Sequence, residues 1–458
     1  MFNKISRWLG GGEAQNLEPQ VALQQPKAVA PSKPAPEIIP AADADAKHSF
    51  VCREAMLNRS EGIDSYVFAL SRKLQSRMQD KGVQIQRAYD DAMLHNLAPL
   101  GEPPLLGQRP VFIHLSPASL NNPLLEVFSN LNVIVMISPG AHELTDLSEV
   151  STNLQRLGEI GIKHGWSLNK LRPEIVEFLA NADFIEVDST PFDGVQMETM
   201  LRQFRTFPGH PKVVASELQT SDDFNFCFRC GFDYFMGPFA SSRENWHPAK
   251  SEINRLRVIE VLNMIRAGAE FGAIADCLRT EPVMTYKLLR YINSPGVGLQ
   301  RKIGEISQAL LVLGRERFHR WLSLMLFDFN KMGYHENVLN EQVLARARFL
   351  EMLAGQGRVP AEADQLFMTG LFSLLDVMMD QPLTEVLKQV SLPEAVAAAL
   401  KGEPGVMRDA LLLATAVESG TTDEMDAAAV KCGLDAVVVT SKMIEALAWA
   451  QQASAVAG

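Results

Sequence analysis

Cysteine is scarce in this chain of 458 residues: there are five, widely scattered. That is too few to staple a small secreted fold, so a reducing compartment is expected. No stretch approaches the ~18 consecutive apolar residues of a membrane span, and the N-terminus lacks the continuous apolar core of a secretory signal. Positive charge is not in excess. With 43 Lys and Arg against 54 Asp and Glu, the net charge is −11, which removes the electrostatic basis for non-specific nucleic-acid binding. None of the nine histidines lies in an H-E-x-x-H run, and none is followed by aspartate. These absences exclude several metalloenzyme and nucleic-acid classes. They leave a soluble cytoplasmic protein as the expectation.

What is present suits globular domains. Hydrophobic residues make up 47% of the chain, so disorder cannot dominate, and the length suggests two or three domains. Phe2, Ile5, Trp8 and Leu9 share one face of a short N-terminal helix, with Lys4 and Arg7 opposite. Membrane contact through residues 1–9 is therefore weak, because so short a helix frays when alone. Six prolines from Pro19 to Pro40, among Ala, Gln and acidic residues, make the rest of 1–48 a tether.

Between 49 and 246 short β-like runs alternate with helical stretches. The strand candidates are 50–53, 63–70, 111–115, 133–137, 161–164, 184–187, 213–215 and 234–236, and the helical ones include 144–157, 173–179 and 192–204. The turn-rich LNRSEG makes the first two strands a hairpin. The later crossovers make the remaining sheet mainly parallel. A small closed α/β barrel fits eight such strands, with an open doubly wound sheet as the alternative that pattern alone leaves.

From 247 to 452 the chain reads as helical. In 281–326, Met284, Leu288 and Ile292 form one stripe that N-S-P-G terminates, Ser307 can N-cap a second helix, and Gly314 ends it. A third helix carries Phe318, Trp321, Leu322 and Met325 inward, with Arg315, Arg317 and Arg320 nearer solvent. With Glu316 among them these arginines suit a solvated face better than a phosphate-binding one. Residues 366–379 read as one central buried helix, and 340–353, 409–417 and 427–449 complete an α-bundle. Cys227 and Cys230 form C-x-x-C, but no second pair completes a zinc site and they sit late in a helix, so buried structural thiols are expected. His114 and His164 could meet at strand ends around a metal, although separate core or rim histidines are the simpler reading.

LLRYINS, ISQALLVLG, RFHRWLSL and LFMTGLFSLLDVMM occur in the order of the HDOD family, a non-enzymatic relative of the HD phosphohydrolases, which this region resembles. The relatives that hydrolyse hold metal with a His-Asp pair. After Trp246 the chain has only His247, His319 and His335, none followed by aspartate. FVCREAMLNRSEGIDSYVFALSR and KVVASELQTSDDFNFCFRCGFDYFMGPF resemble the opening and closing blocks of an EAL domain, and ADFIEVDS its lysine block. That family implies a barrel that hydrolyses cyclic di-GMP with metal-bound water, two divalent cations sitting among carboxylates at the strand ends. On this resemblance the signature glutamate falls at Val67, the asparagine ligand at His114, the next glutamate at Met136, the lysine at Glu186, the A-E-x-V-E acids at Ser216 and Gln219, and the late glutamine at Met236. Asp188 and Glu217 remain nearby. The sequence thus predicts a degenerate EAL-like barrel (49–246) followed by a helical HDOD domain (247–452). It predicts a pseudo-enzyme without cofactor or metal, acting through an unknown regulatory protein, with Arg315, Arg317 and Arg320 as candidate contacts. Cyclic di-GMP is an unfavoured ligand because Glu186 would repel a diphosphate. The alternative is a cyclic di-GMP receptor or weak phosphodiesterase.

Overall fold

A computed structural model describes residues 51–70, 82–98, 109–129, 131–139, 147–168, 175–242, 254–294, 297, 299, 302–327, 333–419 and 422–457. The N-terminal helix and tether expected over 1–48 lie outside the described residues. Eight strands close into a barrel in sequence order. β1 (Val51–Asn58) and β2 (Ile63–Leu70) form the expected antiparallel hairpin. Its turn is held by Asn58 Oδ1, which accepts from the backbone N–H groups of Ser60 and Gly62.

Parallel βα units follow. α1 (Val83–Leu97) leads to β3 (Val111–Leu115) and β4 (Val133–Ile137). Then come α2 (Leu147–Glu159), β5 (Lys163–Leu168), α3 (Val176–Ala180) and β6 (Phe184–Asp188). α4 (Gly194–Phe204), β7 (Lys212–Ser216), α5 (Ser221–Cys230) and β8 (Tyr234–Phe235) complete the barrel. β8 closes it by pairing antiparallel with β1. Capping boxes fix where α4 and α5 begin: Asp193 with Gln196, and Thr220 with Asp223. The closed barrel removes the open-sheet alternative. The strand expected at 161–164 runs from Lys163 to Leu168, so the sequence estimate started early and stopped short of Trp166, a fully buried core residue.

The helices fall into two packing units. One contains α6 (Arg255–Arg266), α7 (Phe271–Arg279), α8 (Pro282–Ile292) and α9 (Ile306–Leu324). Its core is built from Val258, Ile274, Leu278, Leu288, Phe318 and Leu322. Asn293 ties the loop after α8: its amide donates to Leu289 O and Ile303 O and accepts from Ile303 N–H. α9 bends at Gly314, whose φ of 74° is left-handed, so the helix end expected there is real. The cap expected at Ser307 is not. The N-cap is Glu305, without a side-chain bond, because the helix starts one residue before Ser307.

The other unit joins the barrel to α10 (Tyr334–Met352), α11 (Ala363–Phe372), α12 (Leu375–Met379), α13 (Leu383–Gln389), α14 (Glu394–Lys401), α15 (Val406–Ser419), α16 (Thr422–Cys432) and α17 (Ala436–Ala457). α10 packs on β2, α15 on β1 and α17 on α1. The packing units therefore do not coincide with the sequence limits 49–246 and 247–452. The single helix expected over 366–379 is two, because Leu374 (φ −121°, ψ 20°) leaves helical geometry. The one expected over 427–449 is also two, broken at Gly433 (φ 65°). Among the described residues no helix is long and apolar enough to cross a membrane.

Candidate functional site

Strand alternation decides which side chains enter the barrel. Met56, Val67, Phe112, Ile134, Met136, Phe184, Val214 and Met236 form one buried apolar cluster, with Tyr234 against it. Three of the positions where the family resemblance puts ligands, Val67, Met136 and Met236, are thus packing residues. Gly165 belongs to the same design. A Cβ there would lie 2.6 Å from the Met136 sulfur and 2.8 Å from Phe184, so the volume is already filled by its neighbours.

The polar part of the interior gathers around Glu186, which is 5% exposed. His114 Nε2 lies 2.9 Å from its Oε2, and the hydroxyls of Ser216 and Ser167 also bond to it. Burial pushes the Glu186 carboxyl up, but His114 and the two serines outweigh that and hold it below the usual carboxylate range. Burial alone would lower the His114 value, and the adjacent Glu186 raises it overall. The two residues stabilise each other's charged forms.

The remaining predicted positions stand apart. Asp188 Oδ1 accepts from the backbone N–H and the hydroxyl of Thr190, at 2.9 and 2.6 Å, which turns it toward its own loop. Glu217 is exposed, with φ at 58°, and its carbonyl accepts from the exposed Gln219 amide at 3.0 Å. His164 does not join His114. His114 is paired laterally with Met136, whereas His164 is paired with Val135, so the two imidazoles leave opposite faces of the sheet. His164 instead faces Asp183, with Nδ1 3.9 Å from Oδ2.

Cys227 is buried and Cys230 half-buried, both free, in the last turns of α5. Burial pushes the Cys227 thiol up to about 12, which leaves it inert as a nucleophile. Among the described residues, no group of three or more His, Cys, Asp and Glu side chains is placed to share a metal ion. Two hard divalent cations need many oxygen ligands. Val67, Met136 and Met236 offer none, so the donor set does not fit such a centre.

One interior acid was missed by the sequence reading. Glu54 on β1 sits directly across the ladder from Val67, on the face that Met56 and Val67 share, and it acts electrostatically on His114. The sequence estimate ended β1 at residue 53, which left Glu54 outside the alternation that would have turned it inward.

In the other helical unit, Arg315, Arg317 and Arg320 are half-buried rather than solvent-facing. Arg315 donates to Gly268 O at 3.3 Å and lies 5.0 Å from the centre of the Phe271 ring. It therefore braces the turn between α6 and α7.

Residues 255–392 match the family model of the HDOD domain. The chain carries an HDOD domain after an eight-stranded barrel in sequence. The HDOD match begins at α6 and continues through α13. Over 412 residues the chain is 22% identical to the cyclic di-GMP phosphodiesterase CdgJ of Vibrio cholerae, spanning 88% of this chain and 92% of that protein. It is 21% identical over 387 residues to the uncharacterized YuxH of Bacillus subtilis, spanning 82% and 91%. Solved structures similar to it include the FimX EAL domain of Xanthomonas citri in complex with c-diGMP, at 14% identity and TM-score 0.35, over 44% of this chain and 89% of that one. Another is the calcium/cy-diGMP complex of BlrP1 from Klebsiella pneumoniae, at 17% and 0.35, where 44% of this chain matches little more than half, 56%, of BlrP1. Superpositions this loose carry no argument. The barrel rests on its own strand ladder, and the HDOD region on its family match.

Proposed function

We propose that this EAL–HDOD chain works without catalysis, as a signal-transduction or scaffold protein acting through protein–protein contact. One observation carries the reading: the interior positions that would have to supply oxygen to two cations are filled by the apolar cluster of Val67, Met136 and Met236. Water activation by a metal has no ligand set to start from there. Glu186, paired with His114, also leaves no free cation at position 186 to meet a phosphate, which makes cyclic di-GMP a poor ligand. The test is turnover and calorimetry with cyclic di-GMP, using the full chain with Mg²⁺ or Mn²⁺. No loss of the dinucleotide above blank and no micromolar binding are expected. Turnover that depends on the metal would overturn the proposal.

The second reading, a cyclic di-GMP receptor or weak phosphodiesterase, draws on the likeness to CdgJ along most of both chains. Binding without turnover in the same experiment would favour the receptor form. For the contact surface, Arg317 is the residue to change first. Arg315 is committed to Gly268 and Phe271, so its substitution would perturb the helices themselves. Arg317→Gln, which removes the charge and keeps most of the stem, should retain a cooperative melting transition while weakening association with a partner recovered by the wild-type chain.

A further inference from the structure

We infer that His114 is a resident cation of the barrel, its imidazolium paired with the buried carboxylate of Glu186 on β6, where a bound metal would otherwise neutralise that acid. The inference rests on the non-catalytic reading of the mouth and says what took the cations' place. A carboxylate as deeply buried as Glu186, 5% exposed, cannot persist as an anion without a counter-charge. Each strand offers it something different. β2 and β4 present Val67 and Met136, and Met236 directly follows β8; none of the three carries charge. β5 and β7 present the hydroxyls of Ser167 and Ser216. β1 presents a second acid, Glu54, in register with Val67. Among the described residues, β3 brings the cation that meets it, His114, whose Nε2 is 2.9 Å from Glu186 Oε2.

The family resemblance places lysine at 186 and a neutral amide at 114. At both positions this chain differs, and the two side chains it has there compensate one another's charge. Each makes sense only with the other present: Glu186 without His114 is an unpaired buried anion, and His114 without Glu186 is a histidine that burial drives neutral. A divalent ion approaching the mouth meets an imidazolium that is already in place.

Thermal unfolding of the full chain tests the pairing, with His114→Gly, Glu186→Gln and the double variant, each with and without free imidazole near pH 6 and with and without Mn²⁺. The His114→Gly midpoint should drop by several degrees. Imidazole should recover part of that loss, since imidazolium can refill the cavity, and Mn²⁺ should recover part by supplying the missing charge. Neither additive should raise the midpoint of the wild type or of the double variant, which has no anion left at 186. An unchanged midpoint for His114→Gly would overturn the inference, as would equal effects of imidazole on all four proteins or stabilisation of the wild type by Mn²⁺. Should His114→Gly fail to fold, the double variant decides. If it folds, the damage came from the stranded carboxylate; if it also fails, the pairing is not the cause. Cyclic di-GMP turnover by the wild type would sink the non-catalytic reading while leaving these midpoints as they are, so the two failures can be told apart.

Discussion

Glu341 on α10 accepts two hydrogen bonds from Arg109, at 2.7 and 2.9 Å, although 232 residues separate them in the chain. The Tyr66 hydroxyl donates to the same carboxylate. Burial, and then the negative charge of Glu341, pushes the Tyr66 phenol up, so it stays a donor. This cluster ties a helix that follows Phe327 to the β1–β2 hairpin of the barrel. Replacing Glu341 with alanine would leave the buried Tyr66 phenol without this acceptor and take both of these hydrogen bonds from the half-buried Arg109 guanidinium. The expected loss is about 3–5 kcal/mol, read as a lower urea midpoint. The Arg109→Ala/Glu341→Ala double variant should lose less than the sum of the two singles. Strict additivity would mean that the bonds contribute nothing specific.

Gly370 lies on α11 where that helix crosses α10. A Cβ there would come within 2.6 Å of the Ala347 Cα and 2.9 Å of the Arg346 carbonyl oxygen. In an open helix, glycine to alanine gains about 1 kcal/mol from propensity. Here the obstacle is backbone, which cannot swing aside as a side chain can. Gly370→Ala should therefore destabilise the protein, by about 1–3 kcal/mol as overpacking does, and Gly370→Val should be worse. Denaturant titration of the two variants checks the order. A stabilised alanine variant would mean that the helices can separate without cost.

Much of this architecture was legible because the barrel strands are short apolar runs separated by amphipathic helices. The runs at 63–70, 111–115 and 133–137 coincide with β2, β3 and β4, since nothing in them competes with a strand. Legibility failed where a long-range partner decides the outcome. Leu374 breaks an apolar run that local pattern makes continuous, and local pattern carries no sign of it. His114 and Glu186 looked like two separate losses in the sequence, and their pairing exists only once β3 and β6 face each other across the barrel. Glu54 was hidden by a strand boundary set too early. The packing of the helices after Phe327 with the barrel depends on ion pairs such as Arg109–Glu341, whose members carry no local signal.

The C-x-x-C pair offers a chemical check on α5. With the thiol near 12, the thiolate fraction of Cys227 at pH 8 is on the order of 10⁻⁴. A thiol-exchange reagent should therefore modify native Cys227 far more slowly than the same residue in denaturant. Cys230, less buried and raised less far, should react first. Mass mapping after timed labelling distinguishes them. Rapid loss of both thiols together, or an intramolecular disulfide under mild oxidation, would contradict the helical placement.

Glu418 on α15, like Glu186, is a buried carboxyl held below its ordinary value, and its titration should contribute to the loss of stability in acid. Arg346 donates to both of its oxygens, Nε to Oε1 at 2.9 Å and Nη2 to Oε2 at 2.5 Å. Burial pushes the carboxyl up, and Arg346, with help from Arg53 and Gln342, more than offsets this and holds it below the ordinary value of 4.5. A carboxyl depressed in the folded state gives stability that is fully present above its unfolded value. That stability is lost as pH falls through the folded one. The wild-type midpoint should accordingly fall as pH drops below about 4.5, and Glu418→Gln should flatten that part of the profile. The variant should also be less stable than the wild type at neutral pH, because Arg346 is left without its anion in a site where its side chain is only 6% exposed. A variant that keeps the wild-type acid slope would move the responsibility to other carboxylates.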